Sequence, residues 1–355
     1  MTKKSAVAIS GGVDSLMAAW FLKDQGQDVI GIHFITGFET ALSRTRHPQA
    51  DSRQKILDIG KQLGIPVEIV DIRAEFQEKI VDYFTQSYKR GQTPNPCMRC
   101  NPIIKFGRIL SCAHSLGAHK LATGHYARIK KDPNGNFHLF KGLDNRKDQS
   151  YFLSRLTQQQ LENACFPLGE RKKSDIKQMA ARKALRPVTA NESQDICFIK
   201  GRSYGEFLSA QKKFEPKPGL IEDVNGQVIG EHSGLHLFTI GQRRGINCPA
   251  AEPYYVIRLD TERNRLTVGA KKDLLSSECK VVEINWIGKA PTASMDAHTR
   301  VRYRSKEAAS RIFPRSKSTA IVHFNNPQTA ITPGQGAVFY RGDEILGGGW
   351  ISPER

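Results

Sequence analysis

No apolar run in this 355-residue chain is long enough to span a bilayer, and no leader-peptide pattern opens it, since Met1-Thr2-Lys3-Lys4 passes directly into a short apolar stretch. A cytoplasmic protein with no membrane partner is therefore expected. Acidic residues are few beside basic ones, 35 Asp and Glu against 53 Lys and Arg, for a net charge of +18. The excess suits a polyanion partner, because every phosphate met by a lysine or arginine releases counterions, although a plainly basic soluble surface has the same composition. Cysteines number seven. An odd set in a reducing compartment argues against a disulfide framework and leaves a subset for catalysis or metal binding. Cys112, Cys165, Cys248 and Cys279 have no paired spacing and read as small buried hydrophobes. Internal repeats and low-complexity tracts are absent as well.

A Walker lysine is also missing where one would be sought. Ala6-Val7-Ala8-Ile9 is an apolar run of buried-strand type, and Leu16, Met17, Trp20 and Phe21 recur at helical spacing. Between them lies Ser10-Gly11-Gly12-Val13-Asp14-Ser15, a strand-to-helix turn whose glycines let backbone N–H groups close on phosphate oxygens while the helix N-terminus adds its dipole. No lysine follows Gly12 in the Walker position, so release of whole pyrophosphate is the chemistry expected. Two glycines alone read equally well as a plain turn. The full hexapeptide resembles the PP-loop of the ATP pyrophosphatases, which activate a carbonyl oxygen as an adenylate and let a nucleophile displace AMP.

Downstream, strand patterns at 29–34 and 67–72 alternate with helical ones at 51–63 and 76–88, the mark of a parallel sheet covered by helices, with ligands at the carboxyl ends of the strands. Residues 103–116 read as a helix and 120–126 as a strand ending in Gly124, His125 and Tyr126. A hairpin over 127–131 and 137–141, turned at Asn134-Gly135, and a helix over 174–185 follow. Past Ser203 the pattern becomes short strands between turn residues, at 219–223, 227–230, 254–260 and 265–269, then at 281–286, 299–303, 318–324 and 336–340. The expected architecture is an α/β N-terminal domain over 1–203, with a parallel sheet of PP-loop ATP pyrophosphatase type, followed by two small all-β, barrel-like domains over 204–276 and 277–355.

Two stretches point to sulfur chemistry. In Gly91-Gln92-Thr93-Pro94-Asn95-Pro96-Cys97-Met98-Arg99-Cys100-Asn101 the prolines and asparagines predict a rigid loop, with no regular helix before about residue 103. A helix start beside the two cysteines would lower the thiol pKa and favour the thiolate. Cys197, between Ile196 and Phe198 after a polar stretch at 191–195, reads as the start of a strand and, taken alone, as core.

Further stretches follow in order: Thr93-Pro94-Asn95-Pro96, Cys100-Asn101, Ala122-Thr123-Gly124-His125-Tyr126, Lys147-Asp148-Gln149-Ser150-Tyr151-Phe152-Leu153 and Ile196-Cys197-Phe198-Ile199. Thr239-Ile240-Gly241-Gln242-Arg243-Arg244-Gly245, Thr332-Pro333-Gly334-Gln335 and Leu346-Gly347-Gly348-Gly349 complete them. Over nearly its whole length the chain thus resembles the tRNA-specific 2-thiouridylases. The resemblance implies an ATP-dependent enzyme that adenylates the C2 oxygen of the wobble uridine and replaces it with sulfur, giving 2-thiouridine, AMP and pyrophosphate. It implies that Ala8, Ile9, Ser10, Gly11, Gly12, Val13, Asp14, Ser15, Phe34 and Gly124 bind ATP, with Mg²⁺. Cys100 takes the place of the family's nucleophile and Cys197 that of its persulfide carrier. Asn95, Pro96 and Cys97 would face the target base, while His125, Lys147, Asp148, Gln149, Arg302, Tyr303 and Gln335 would touch the tRNA. The implied partners are the anticodon loop, from which the base would be extruded, and a sulfur donor such as a cysteine desulfurase or relay protein. Arg304, Arg311 and Arg315 add cations on the last domain.

Cys97 stands where many members of that family have an aspartate. It makes Cys97, Cys100 and Cys197 a candidate three-thiolate site, which would suit a [4Fe–4S] cluster with one open iron, or zinc with a fourth ligand such as His125. The metal-free alternative keeps Cys197 as the persulfide and Cys100 as its partner. The competing function is a different PP-loop ATP pyrophosphatase acting on another tRNA base or a small metabolite; the small-metabolite enzyme would leave Cys100, Cys197 and the basic β domains unexplained.

Overall fold

The computed structural model describes residues 3–39, 48–188, 196–199, 201–211, 214–249 and 251–353. The sequence reads 36–50 as irregular and polar; of these, 40–47 lie outside the described residues, as do 191–195, and 48–50 are helical. The chain forms two compact units, one of Met1–Ile80, Cys97–Lys200 and Asp343–Leu346, the other of Val81–Pro96, Gly201–Gly342 and Gly347–Arg355.

In the first unit β1 (Lys4–Ala8), α1 (Val13–Asp24), β2 (Asp28–Ile35), α2 (Pro48–Leu63) and β3 (Val67–Asp71) alternate, and β4 (Lys120–Ala122), the hairpin strands β5 (Ala127–Lys131) and β6 (Phe137–Lys141), and β7 (Ala164–Cys165) follow. Five of these strands form a parallel sheet in the order β3-β2-β1-β4-β7. β1 is central and covered on both faces, which is why Ala6, Val7, Ala8 and Ile9 run without polar alternation. Leu16, Met17, Phe21 and Leu22 of α1 pack with Ile56, Ile59 and Leu63 of α2 in the core on one face. Strand order reverses between β1 and β4, so the turn leaving β1 opens at the crevice where such sheets bind ligands. The hairpin turned at Asn134-Gly135 is present in the expected register, and Glu344 and Ile345 add to it against Phe140 and Leu139.

Two expectations fail here for physical reasons. Helix begins at Pro96, well before residue 103: Pro96–Cys100 is α-helical, Asn101–Ile109 π-helical and Leu110–Ser115 α-helical. At the first helical position the N–H that Pro96 lacks is not needed. Pro102 sits in the π-helical stretch, and the Gln160 side chain donates to the carbonyls of Pro102 at 2.7 Å and Phe106 at 3.0 Å. Cys197 lies on a turn and not at a strand start, closed by the Ile199 N–H to the Ile196 carbonyl. The buried Phe198 anchors that turn, 5.8 Å from the Phe38 ring and 5.9 Å from the Phe76 ring.

The second unit is mainly β. β8 (Gly219–Asp223), β9 (Val228–His232), β10 (Tyr255–Asp260) and β11 (Arg265–Gly269) form a sheet in the order β10-β11-β8-β9 around Ile221, Phe238, Val256, Leu266 and Val268. β12 (Leu275–Trp286), β13 (Met295–Arg300), β14 (Ala308–Ser316), β15 (Thr319–Thr329), β16 (Gly336–Arg341) and β17 (Glu344–Ile351) follow. Among the described residues these six close into a barrel, because β12 pairs with both β15 and β17. β14 was not expected. Buried Ser310 and Ile312 alternate there with exposed Ala309 and Arg311, but one buried position is polar, one exposed position is apolar, and Pro314 interrupts the run. β13 stops at Arg300, which places Arg302 and Tyr303 in the following turn and not in a strand.

Candidate active site

The turn from β1 into α1 is held from within. The Ser15 hydroxyl accepts the Ser10 N–H at 3.1 Å and donates to the Gly12 carbonyl at 3.0 Å. Gly12 caps α1 with no side-chain bond, so the first N–H groups of the helix, which have no partner within it, are directed at whatever anion fills the turn. Gly124, just past β4, must be glycine, since a Cβ there would lie 2.7 Å from the Asp14 carbonyl carbon and 2.9 Å from the Ser15 nitrogen. Phe34 is half-buried near the end of β2. Asp14 is the fixed charge of the loop: Lys173 Nζ lies 2.6 Å from both of its carboxylate oxygens, and the Tyr126 hydroxyl donates to Oδ1 at 2.9 Å. Lys173 is itself buried and opens the helix Lys173–Arg182, where its N–H donates to Asp144 Oδ2.

Cys97 and Cys100 lie three residues apart on one helical face. The expected depression of their thiol pKa by a helix start is overturned by burial, which pushes Cys100 up to about 12 and Cys97 up to about 11. Lys105 opposes this for both, and Cys197 adds to it, so all three thiols share one electrostatic neighbourhood. Cys197 is exposed on its turn while the other two are partly covered. Among the described residues no group of three histidine, cysteine or acidic side chains is placed to hold a metal, so Cys97, Cys100 and Cys197 are not arranged as the expected three-thiolate ligand set. His125 is buried and its pKa falls well below the usual value, first through burial and then through Lys105. Lys105 can only donate, so at 3.3 Å from Nε2 it leaves the proton on Nδ1, 2.7 Å from Thr123 Oγ1.

The residues assigned to the target base and tRNA are mostly engaged inside the protein. Asp148 is buried and accepts from the N–H groups of Gly142 and Ser150 and from the Ser150 hydroxyl. Gln149 Oε1 accepts the Tyr126 N–H at 3.1 Å. Asn95 and Pro96 are buried, whereas Lys147 and Tyr303 are half-exposed. An Arg302 guanidinium nitrogen donates to the Ile240 carbonyl at 2.7 Å and to the Thr332 hydroxyl. Gln335 donates to the carbonyls of Thr93 and Pro94. The sequence reading missed Lys173, Lys105 and the buried acceptor Asn101 Oδ1, which finds no donor among the described residues. Only the Cys100-Asn101 adjacency signalled the last.

Residues 3–201 match the family described as tRNA methyl transferase HUP domain, 206–270 the tRNA methyl transferase PRC-barrel domain, and 276–351 the Aminomethyltransferase beta-barrel domain. The tRNA-specific 2-thiouridylase MnmA of Desulfosudis oleivorans is 50% identical over 349 residues, covering 98% of this chain and 95% of that one. Its counterpart from Geobacter metallireducens is 41% identical over 98% of this chain and 96% of its own length, and that from Synechocystis sp. 43% identical over 100% and 98%. With 41–50% identity over nearly the full length of each, this chain belongs to the tRNA-specific 2-thiouridylase family.

Proposed function

We propose that the protein is an ATP-dependent tRNA-uridine 2-sulfurtransferase, which adenylates the C2 oxygen of the wobble uridine and replaces that oxygen with sulfur. The observation that carries this reading is a PP-loop with its Asp14 fixed by Lys173, in the same unit as Cys97 and Cys100 on one helical face and the exposed Cys197.

A uridine C2 carbonyl is a poor electrophile. Attack of its oxygen on the α-phosphorus of ATP expels pyrophosphate and leaves AMP as a good leaving group on C2. Residues 8–15, Phe34 and Gly124 would hold the nucleotide. Mg²⁺ would supply neutralisation of phosphate charge.

Sulfur delivery must also balance electrons. The terminal sulfur of a Cys197 persulfide attacks C2 and AMP leaves, joining the base to Cys197 through a disulfide. Cys100 then attacks the Cys197 sulfur, which frees 2-thiouridine and forms a Cys100–Cys197 disulfide. Those two thiols give the two electrons that the sulfur gains, and an external thiol reductant restores them. The exposure of Cys197 supports charging by a sulfur-donor protein, a cysteine desulfurase or relay protein. The described residues hold no group of three metal-ligating side chains, and the persulfide route needs no cluster. Protein purified without oxygen should then lack stoichiometric iron and acid-labile sulfide; their presence in wild type and loss in Cys97→Ala would restore the cluster reading.

The deciding test is thiolation of tRNA with release of AMP. Cys100→Ser and Cys197→Ser should each abolish thiolation while tRNA binding stays near wild type. Substantial thiolation by either variant would remove its assigned role, and AMP release by wild type indifferent to tRNA would point to a small-metabolite enzyme.

A further inference from the structure

Lys105 is a cation with no carboxylate beside it. Its Nζ lies 3.3 Å from His125 Nε2, and among the described residues it forms no ion pair, although it is half-buried near Cys97 and Cys100 in the first unit. His125 is held neutral and offers that ammonium a single acceptor, which leaves its other donors open to an anion.

The helix geometry puts the cation there. In an α-helix residues 100 and 105 would stand about 140° apart round the axis. The stretch Asn101–Ile109 is π-helical, and its i→i+5 closure brings residue 105 back towards the line of residue 100. That wider turn is held from outside: Gln160 Nε2 donates to the carbonyls of Pro102 at 2.7 Å and Phe106 at 3.0 Å, and its Oε1 accepts the Thr157 N–H at 3.1 Å. After burial, Lys105 is the strongest influence on the Cys100 thiol and, among the described residues, the one that favours its charged form; at Cys97 it comes behind Cys197.

We propose that Lys105 is the counter-ion of the Cys100 thiolate in the step that frees the product, a role that rests on the 2-thiouridylase reading. Once the base is joined to Cys197 through a disulfide, Cys100 gives up its proton and its sulfur bonds to the Cys197 sulfur. The bond from that sulfur to the sulfur on C2 breaks, the electron pair stays with the base sulfur, and the proton ends on the released 2-thiouracil. One negative charge thus sets out from a buried sulfur, where a fixed ammonium counts most. Adenylation comes earlier, needs no thiolate and does not call on Lys105.

A single turnover separates the two steps. Enzyme charged with persulfide on Cys197 is mixed with ATP and tRNA without added thiol, and AMP, free thiolated tRNA and the tRNA–protein adduct are followed, the last on non-reducing denaturing gels. Lys105→Met, which keeps the stem of the side chain, should form AMP within about twofold of the wild-type rate, release thiolated tRNA about tenfold more slowly or worse, and accumulate an adduct that dithiothreitol cleaves. Lys105→Gln should behave alike and covers a folding failure of the first variant. Lys105→Arg, which keeps the charge, should release product within about threefold of wild type. Product release by folded Lys105→Met or Lys105→Gln at the wild-type rate, loss of their AMP formation, or an equal defect in Lys105→Arg would overturn the proposal. Absence of thiolated tRNA from the wild type would instead overturn the reading on which it rests.

Discussion

Lys173 supplies to the PP-loop the cation that the loop's own sequence omits, from 159 residues beyond Asp14. A buried ammonium between two carboxylate oxygens balances the charge of Asp14 and fixes its rotamer. Lys173→Met should lower AMP release from ATP at least tenfold, measured at saturating tRNA; turnover within threefold of wild type would show that Asp14 needs no such partner. The cysteines make a second prediction. Cys197 is exposed, whereas burial holds Cys97 and Cys100 as thiols up to about pH 11 and 12. Iodoacetamide at about pH 8 should therefore label Cys197 at least tenfold faster than either, as read by peptide mass mapping. Equal labelling would contradict the placement of the two helix cysteines. The PP-loop and the cysteines were legible because their signals are local spacings. Lys173 and Lys105 were not, because a lysine's burial is decided by partners far along the chain.

The parallel sheet and the hairpin were readable from alternation and from Asn134-Gly135, since apolar period and turn chemistry agree there. The Pro96–Cys100 helix was hidden because its prolines were read as breakers, when one opens the helix and the other falls in a π-helical stretch supported by Gln160 from outside. The hairpin also makes a pH prediction. Its His138 Nδ1 lies 2.6 Å from a Glu344 carboxylate oxygen and donates to it, and that bond chiefly raises the imidazole pKa above the ordinary 6.5. The folded state thus binds this proton more tightly than the unfolded one. The resulting stability is full below the unfolded value and is lost as pH rises through the raised folded value. The melting temperature of Glu344→Gln, compared with wild type from about pH 6 to about pH 8.5, should lack a part of the alkaline decline on the order of 1–2 °C. Parallel curves would show that the pair contributes nothing measurable.

Over the whole molecule, the net charge of +18 is the property most directly tied to a polyanionic substrate. tRNA affinity should fall roughly a hundredfold or more between about 50 and 200 mM salt, with the same slope in Cys100→Ser, in filter binding. A flat salt response would remove phosphate contacts as the main source of affinity. No helix among the described residues is long and apolar enough to cross a membrane. The chain passes between its two units more than once: 81–96 leaves the first for the second, and 343–346 returns to pair with β6 before 347–351 closes the barrel on β12. Neither unit can therefore be excised with a single cut. A gene fusion or recombination that carried away only the first two hundred codons would deliver a hairpin missing its third strand. One that stopped after Gly342 would leave β12 without its β17 partner, an open barrel with an unpaired edge inviting aggregation. Such a chain is inherited whole or not at all.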